Sequence, residues 1–160
     1  MDKRSKTYYL SGMLKWLRPK QLNPWGNWSV QLYFDPESLE TFNKLRSEGL
    51  RNDLRKDEDG YFANFSRPSS KVIRGRTVLF DPPVVIDNDG KPLTEDVGNG
   101  SMGTLKLMVY PFNFMNKSGI AARWEAVKVT DFKPFNKDQD FTPSQEKQLG
   151  KLDQKTGPEF

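Results

Sequence analysis

The sequence predicts a mainly β fold: an OB-fold-like five-stranded antiparallel barrel with one helix and a flexible C-terminal tail. Apolar and polar residues alternate along several segments of strand length, and only one segment carries helical spacing with signals at both ends. Beyond Lys133 apolar content fades and no period remains. The 160 residues suffice for a single hydrophobic core. They divide into a domain over 1–135 and a tail over 136–160.

Tyr8–Leu17 alternates, with Leu10, Gly12, Leu14 and Trp16 on one face. Two prolines and a glycine make Arg18–Asn27 a loop. Trp28–Phe34 reads as a half-buried strand, with Trp28, Val30, Leu32 and Phe34 inward. In the helix that follows, Asp35 is the N-cap, Pro36 opens the first turn, Leu39, Phe42 and Leu45 form the apolar stripe, and Gly49 stops it. The charged stretch Leu50–Gly60 reads as a frayed continuation or an exposed loop. Tyr61–Phe65 is a short strand, and Lys71–Phe80 is a β-branched strand bent at Gly75. Val84–Ile86 leads into the turn Asn88-Asp89-Gly90. Gly98–Gly103 is a flexible connection. Thr104–Tyr110 and Ile120–Phe132 are long strands joined by a hairpin across Asn113–Gly119, and a slip of apolar phase at Glu125–Val127 marks a bulge. Other small barrels share this economy of elements.

Composition removes much chemistry. With neither cysteine nor histidine, the chain can build no disulfide, thiolate zinc site, Cys nucleophile or Ser-His-Asp triad. No apolar run nears the length of a membrane span, and MDKRSKTYYLSG lacks the apolar stretch of a signal peptide, so the expected place is the cytoplasm. Residues 1–76 carry 15 Lys/Arg against 9 Asp/Glu, whereas residues 77–160 carry 10 against 12. A basic first half suits either an anionic partner or a solubilising surface.

Three motifs fail for want of context. Gly98-Asn99-Gly100-Ser101-Met102-Gly103 satisfies G-x-G-x-x-G, but a strand follows where a dinucleotide site needs a helix. Asp57-Glu58-Asp59-Gly60 and Asp87-Asn88-Asp89-Gly90 resemble calcium-loop fragments, yet the first ligand position falls on Arg55 or Val85. Glu125 and Asp131, the two carboxylates in a long strand region, form no paired motif for a two-metal nuclease. The reading is therefore non-enzymatic, with no cofactor and no metal.

One constellation survives, in which basic and aromatic residues are interleaved on strands. Unpaired nucleic acid presents phosphates to Lys/Arg and open base faces to aromatic rings. Lys106 and Tyr110 share one face of a strand that runs on to Phe112, and Arg74 and Arg76 share a face of another. Lys15, Arg18 and Lys20 run towards Trp25, a large ring in a loop with no core role. Tyr33 is a further candidate platform, whereas Trp16, Trp28, Phe42 and Trp124 are expected in the core.

Three stretches in order resemble the single-stranded-DNA-binding proteins of bacteriophages, specifically the short-tailed-phage type with an oligonucleotide-binding (OB) core. They are Asn23-Pro24-Trp25-Gly26 leading into Trp28–Phe34, Gly98-Asn99-Gly100-Ser101 before Thr104–Phe112, and Gly119–Phe132 with Val127 and Val129. The resemblance spans roughly residues 8–132. It implies that Lys106 contacts the DNA backbone, that Phe112 stacks on a base, and that Trp25 stands where the family often has a basic residue. It also implies a tail that recruits replication proteins through a terminal aromatic, here Phe160. The family's tails are strongly acidic, but Lys137–Phe160 has four Lys against five Asp/Glu.

The expected function is a coat for single-stranded DNA during phage replication or recombination, without sequence preference. Phosphate contacts would come from Lys15, Arg18, Lys20, Arg74, Arg76 and Lys106, and stacking from Trp25, Tyr33, Tyr110 and Phe112. The alternative is a phage accessory β-barrel that binds proteins and no nucleic acid.

Overall fold

The computed structural model describes residues 5–135. The tail, with the expected partner contact at Phe160, lies outside the described residues. Strand β1 (Lys6–Arg18) pairs antiparallel through its second half with β2 (Asn27–Phe34) and through its first with β8 (Ser101–Phe114). Strand β2 pairs with β4 (Gly60–Pro68), and β8 forms a hairpin with β9 (Lys117–Asp131). A parallel bridge, Ser66 to Arg123, joins β4 to β9 and closes the order β4-β2-β1-β8-β9 into a five-stranded barrel. The barrel is thus mixed, its closing pair running parallel where all-antiparallel pairing was expected. Short β3 (Arg55–Asp57) adds to β4, and β7 (Val84–Ile86) runs parallel to β9.

Alternation fills the interior. Leu10, Leu14, Val30, Leu32, Phe65, Leu105, Leu107, Trp124, Val127 and Val129 are buried together, each contributing about 1.5–3 kcal/mol on burial. Helix α1 (Pro36–Ser47) starts as its sequence dictates, with the Asp35 carboxylate accepting from the Ser38 N–H at 2.7 Å. It ends with Gly49 donating to the Arg46 carbonyl and Leu50 to that of Leu45, a Schellman stop that uses the positive φ of Gly49. Phe42 stacks on Phe34 at 4.6 Å and meets Phe65 edge-on at 6.0 Å, fastening the helix to the barrel.

Glycine decides one point of β1. Gly12 lies opposite Phe34 on one side and Gly103 on the other, and a Cβ at Gly12 would fall 1.8 Å from the Tyr33 carbonyl oxygen. Beside it, the Ser11 N–H is satisfied by Ser38 Oγ of the helix at 2.8 Å.

Bulges displace two strands. On β9, Leu107 faces Trp124 and Lys106 faces Ala126, so Glu125 is the extra residue, at the expected slip of phase. On β1, the register jumps from Lys15–Gln31 to Arg18–Ser29. Trp16 sits at that jump with φ 54, a conformation that costs a bulky residue about 1–3 kcal/mol. The bulge turns Leu17 into the core and leaves Trp16 half-buried outside it. This corrects the expectation for Trp16, which strict alternation put inside.

Other departures come from pairing. Lys71–Phe80 is not one bent strand but a hairpin of β5 (Ser70–Ile73) and β6 (Arg76–Leu79), turned at Arg74-Gly75 with both φ values positive. Gly98–Gly100 is tied down by the Gly98 N–H on Lys133 O and the Gly100 N–H on Leu14 O. A Cβ at Gly98 would fall 2.3 Å from the Pro134 carbonyl oxygen. The G-x-G-x-x-G stretch is a tightly bonded connection between packed strands.

Candidate nucleic-acid interface

On β8, Lys106, Met108, Tyr110 and Phe112 face outward while Leu105, Leu107 and Val109 face the core. Tyr110 lies opposite Ala121 of β9 and Phe112 opposite Gly119, so small residues flank both rings. A Cβ at Gly119 would fall 3.2 Å from the Phe112 ring and 2.7 Å from the Gly49 carbonyl oxygen. That space lets the chain after α1 lie against β9, where Leu50 bridges Ile120 and the Arg51 N–H donates to Ile120 O. Arg51 is thereby placed with its guanidinium 5.6 Å from the Phe112 centroid.

Two further cations frame Tyr110. Lys71, at the base of the β5–β6 hairpin, places Nζ 5.2 Å from the ring centroid, and Arg123 of β9 lies 5.8 Å from it. Arg51, Lys71, Arg123 and Tyr110 line one hollow of about 420 Å³, completed by Asn27, Asn52, Ser66, Pro68, Ala121 and Ala122, with no carboxylate in its lining. Just outside it, Glu125 Oε2 accepts from Arg123 Nε at 2.5 Å and from Arg67 at 2.9 Å, and both guanidiniums lie 5.2 Å from the Phe80 centroid. One acid between two arginines leaves this trio with a net positive charge and fixes Arg123 in direction.

A second hollow, of about 340 Å³, adjoins across β2 and β4. Trp16 and Trp25 line it with Asn27, Ser29, Gln31, Asn64 and Ser66. Asn27 and Ser66 border both hollows, so the two form one track across the outside of the barrel. Trp25 is 80% exposed, held in its loop by the Asn23 carboxamide, which accepts from the Trp25 and Asn27 N–H groups at 3.0 Å each. A track of rings, amides and cations, open on one side, can stack flat apolar rings and hold an anionic backbone.

No family model and no curated protein matches the sequence, but solved structures do match. One is gp2.5, a single-stranded DNA binding protein encoded by bacteriophage T7, with a TM-score of 0.61 at 18% identity over 83% of this chain and 90% of that one. Another is the single-stranded DNA-binding protein from bacteriophage Enc34, with a TM-score of 0.55 at 11% identity over 82% and 84%. The same Enc34 protein in complex with ssDNA matches with a TM-score of 0.53 at 12% identity over 81% and 89%. The fold is that of the phage single-stranded-DNA-binding proteins. Its barrel is of the OB type that the three sequence stretches resemble.

Within this phage-type fold the expected site residues separate. Tyr110 lines the basic hollow, Phe112 stands beside it, and Trp25 lines the indole hollow. Lys106 is exposed on the same face of β8 but lies about 13 Å along the strand from Tyr110, between Tyr9 and Ala126. Arg18 has its guanidinium 5.4 Å from the Trp16 centroid. Arg18 and Lys20 border a different hollow, of about 260 Å³, where Lys20 pairs with Asp96 at 3.4 Å. Arg74 and Arg76 do not share a strand face: Arg74 is in the hairpin turn and Arg76 opens the return strand, both exposed.

Tyr33 and Lys15 are both engaged within the fold. Tyr33 is buried, stacked on Phe62 at 4.7 Å, and its hydroxyl donates to Asp57 Oδ2 at 2.6 Å, so it offers no open ring. Lys15 lies 4.8 Å from the Tyr33 centroid and pairs with Asp59 at 2.5 Å. The end of β3 and the acidic turn that follows it engage both, Asp57 holding Tyr33 and Asp59 holding Lys15. Burial, followed by the Asp57 contact, pushes the Tyr33 phenol well above its ordinary value. The Tyr33 hydrogen bond in turn holds the Asp57 carboxyl below its usual range, helped by the Asp59 N–H and the Lys15 charge. A lowered carboxyl stabilises the fold above its ordinary range, and the benefit is lost as pH falls through the lowered value. Tyr33→Phe is therefore expected to raise the Asp57 titration midpoint, read by NMR, and to lower the melting temperature at neutral pH. That melting difference should shrink on acidification; a difference independent of pH would refute the linkage.

Sequence reasoning missed Arg51, Lys71, Arg123 and Trp16. The basic residues reach the track through the α1 exit, a hairpin base and the barrel closure, none of which is a local pattern. The apolar phase slip in β1, with Leu17 following Trp16, was the available signal for Trp16.

Proposed function

We propose that this protein binds single-stranded DNA non-specifically and without catalysis, coating strands exposed in phage replication or recombination in the host cytoplasm. The supporting observation is the acid-free hollow in which Arg51, Lys71 and Arg123 surround Tyr110 beside Phe112. A base that stacks on Tyr110 takes the place of the Lys71 ammonium, which then meets the neighbouring phosphate. Phe112 receives a second base, and Arg51 serves its phosphate. Lys106, Arg74 and Arg76, all exposed, would add further phosphate contacts, and Trp25 would stack farther along the track. Nucleotides held in this way are unavailable for pairing, so hairpins open and nucleases are excluded. The Enc34 complex supports the choice of ligand, since its fold holds ssDNA. Recruitment of replication proteins by the tail, with Phe160 as the contact, belongs to the same proposal.

Titration of labelled oligo-dT at several salt concentrations tests it. Three cations that release counterions give a log–log slope of about −2, and each further engaged cation steepens it by about 0.7. Matched duplex is expected to bind more weakly, because paired bases offer no faces to the rings. Absence of binding at low salt would refute the proposal and favour the alternative, a protein-binding accessory barrel. That alternative has one observation of its own, the exposed apolar side chains Val72, Ile73, Val78 and Leu79 on the β5–β6 hairpin.

A further inference from the structure

Trp16 is held where a tryptophan does not rest for local reasons. Its backbone is left-handed at φ 54, and its N–H is held by the Asn99 side-chain oxygen at 2.8 Å. The bulge that includes it sends Leu17 to the core and the indole to the surface. Bulges re-aim side chains beside functional sites, and strained residues persist where the surrounding structure over-determines them. The hollow that Trp16 faces also contains Trp25, whose ring is 80% exposed. Its floor is polar. Gln31 and Asn64 stand opposite one another in register, as do Ser29 and Ser66. Carboxamides offer both donors and acceptors, so this floor can meet the edge of a ring whose faces are covered by indoles. At about 340 Å³ the hollow is of small-molecule size.

We infer that Trp16 and Trp25 form a subsite for one unstacked nucleobase, with the Gln31 and Asn64 amides at the base edge. The inference rests on the proposed binding of single-stranded DNA and adds a site for a base beyond the Tyr110 hollow. It puts ring recognition at this end of the track, where the lining of the hollow contains no lysine or arginine and Arg18 stands 5.4 Å from the Trp16 centroid.

The test compares wild type, Trp16→Ala, Trp16→Phe and Trp25→Ala, each binding oligo-dT and an abasic strand of equal length. Trp16→Ala and Trp25→Ala are each expected to weaken oligo-dT binding about 5- to 150-fold. Binding to the abasic strand should stay as in wild type, and Trp16→Phe should recover most of the loss. Oligo-dT should also quench less indole fluorescence in Trp25→Ala than in wild type. Wild-type affinity for oligo-dT in both alanine variants overturns the subsite while leaving the wider DNA-binding proposal standing. So does equal loss on the oligo-dT and abasic strands, which would mark general distortion. Should Trp16→Ala fail to fold, Trp25→Ala, in an exposed loop, decides the matter alone. Failure of wild type to bind oligo-dT at low salt removes both proposals.

Discussion

Replacing Tyr110 and Phe112 together by alanine is expected to weaken oligo-dT binding by about 2–6 kcal/mol, from about 1–3 kcal/mol for each stacked base. The two rings stand two residues apart on the outward face of β8, and each carries a cation, Lys71 or Arg123 on Tyr110 and Arg51 on Phe112. Removing the rings takes away both proposed platforms and the surfaces against which Arg51, Lys71 and Arg123 lie. The two losses are coupled, so the double variant need not equal the sum of the single ones. The fold should survive, because neither ring belongs to the buried core. Equilibrium titration at fixed salt measures the effect, with thermal unfolding as the control. The salt slope should stay near that of wild type, since the cations remain. Unchanged affinity in a folded double variant would remove this face from the site.

Gly12→Ala is expected to destabilise the protein by more than about 4 kcal/mol, a large part of the stability of a typical domain. The new methyl would lie 1.8 Å from the Tyr33 carbonyl oxygen and 2.8 Å from its carbonyl carbon, and backbone cannot rotate away as a side chain can. Strand β1 would have to leave β2 at the point where it also pairs with β8. Gly75→Ala is the comparison. It too has a positive φ, but nothing lies within 4 Å of its Cβ, so the expected loss is only about 1–2 kcal/mol. Melting temperatures followed by circular dichroism separate the two, and similar temperatures would show that β1 accommodates a side chain at Gly12.

Local signals in the sequence carried the parts of the fold that depend on near neighbours. Asp35, Pro36 and Gly49 placed the helix because caps act within a turn, and Trp28–Phe34 was readable because one face is sealed and the other wet. The slip at Glu125 was visible for the same reason. Alternation failed at Trp16 because an extra residue inverts every face beyond it, and the sequence does not say which side of the slip is core. The cover over Tyr33 was not legible because it comes from the end of β3, 24 residues away at Asp57. The cations of the basic hollow looked no different from solvated surface charges. Arg51, Lys71 and Arg123 meet only through tertiary pairing. Trp25 was legible because an indole in a Pro- and Gly-rich loop has no partner nearby.

The barrel closes through the bridge between Ser66 and Arg123, and both residues line the basic hollow. Every other neighbouring pair in the ring is joined by a ladder of several antiparallel partners. An occupant of the hollow therefore lies across the thinnest weld in the cylinder and touches both lips of it. A strand held there as proposed would tie the two lips together, and its binding is then expected to act on the barrel's closure as a clasp does.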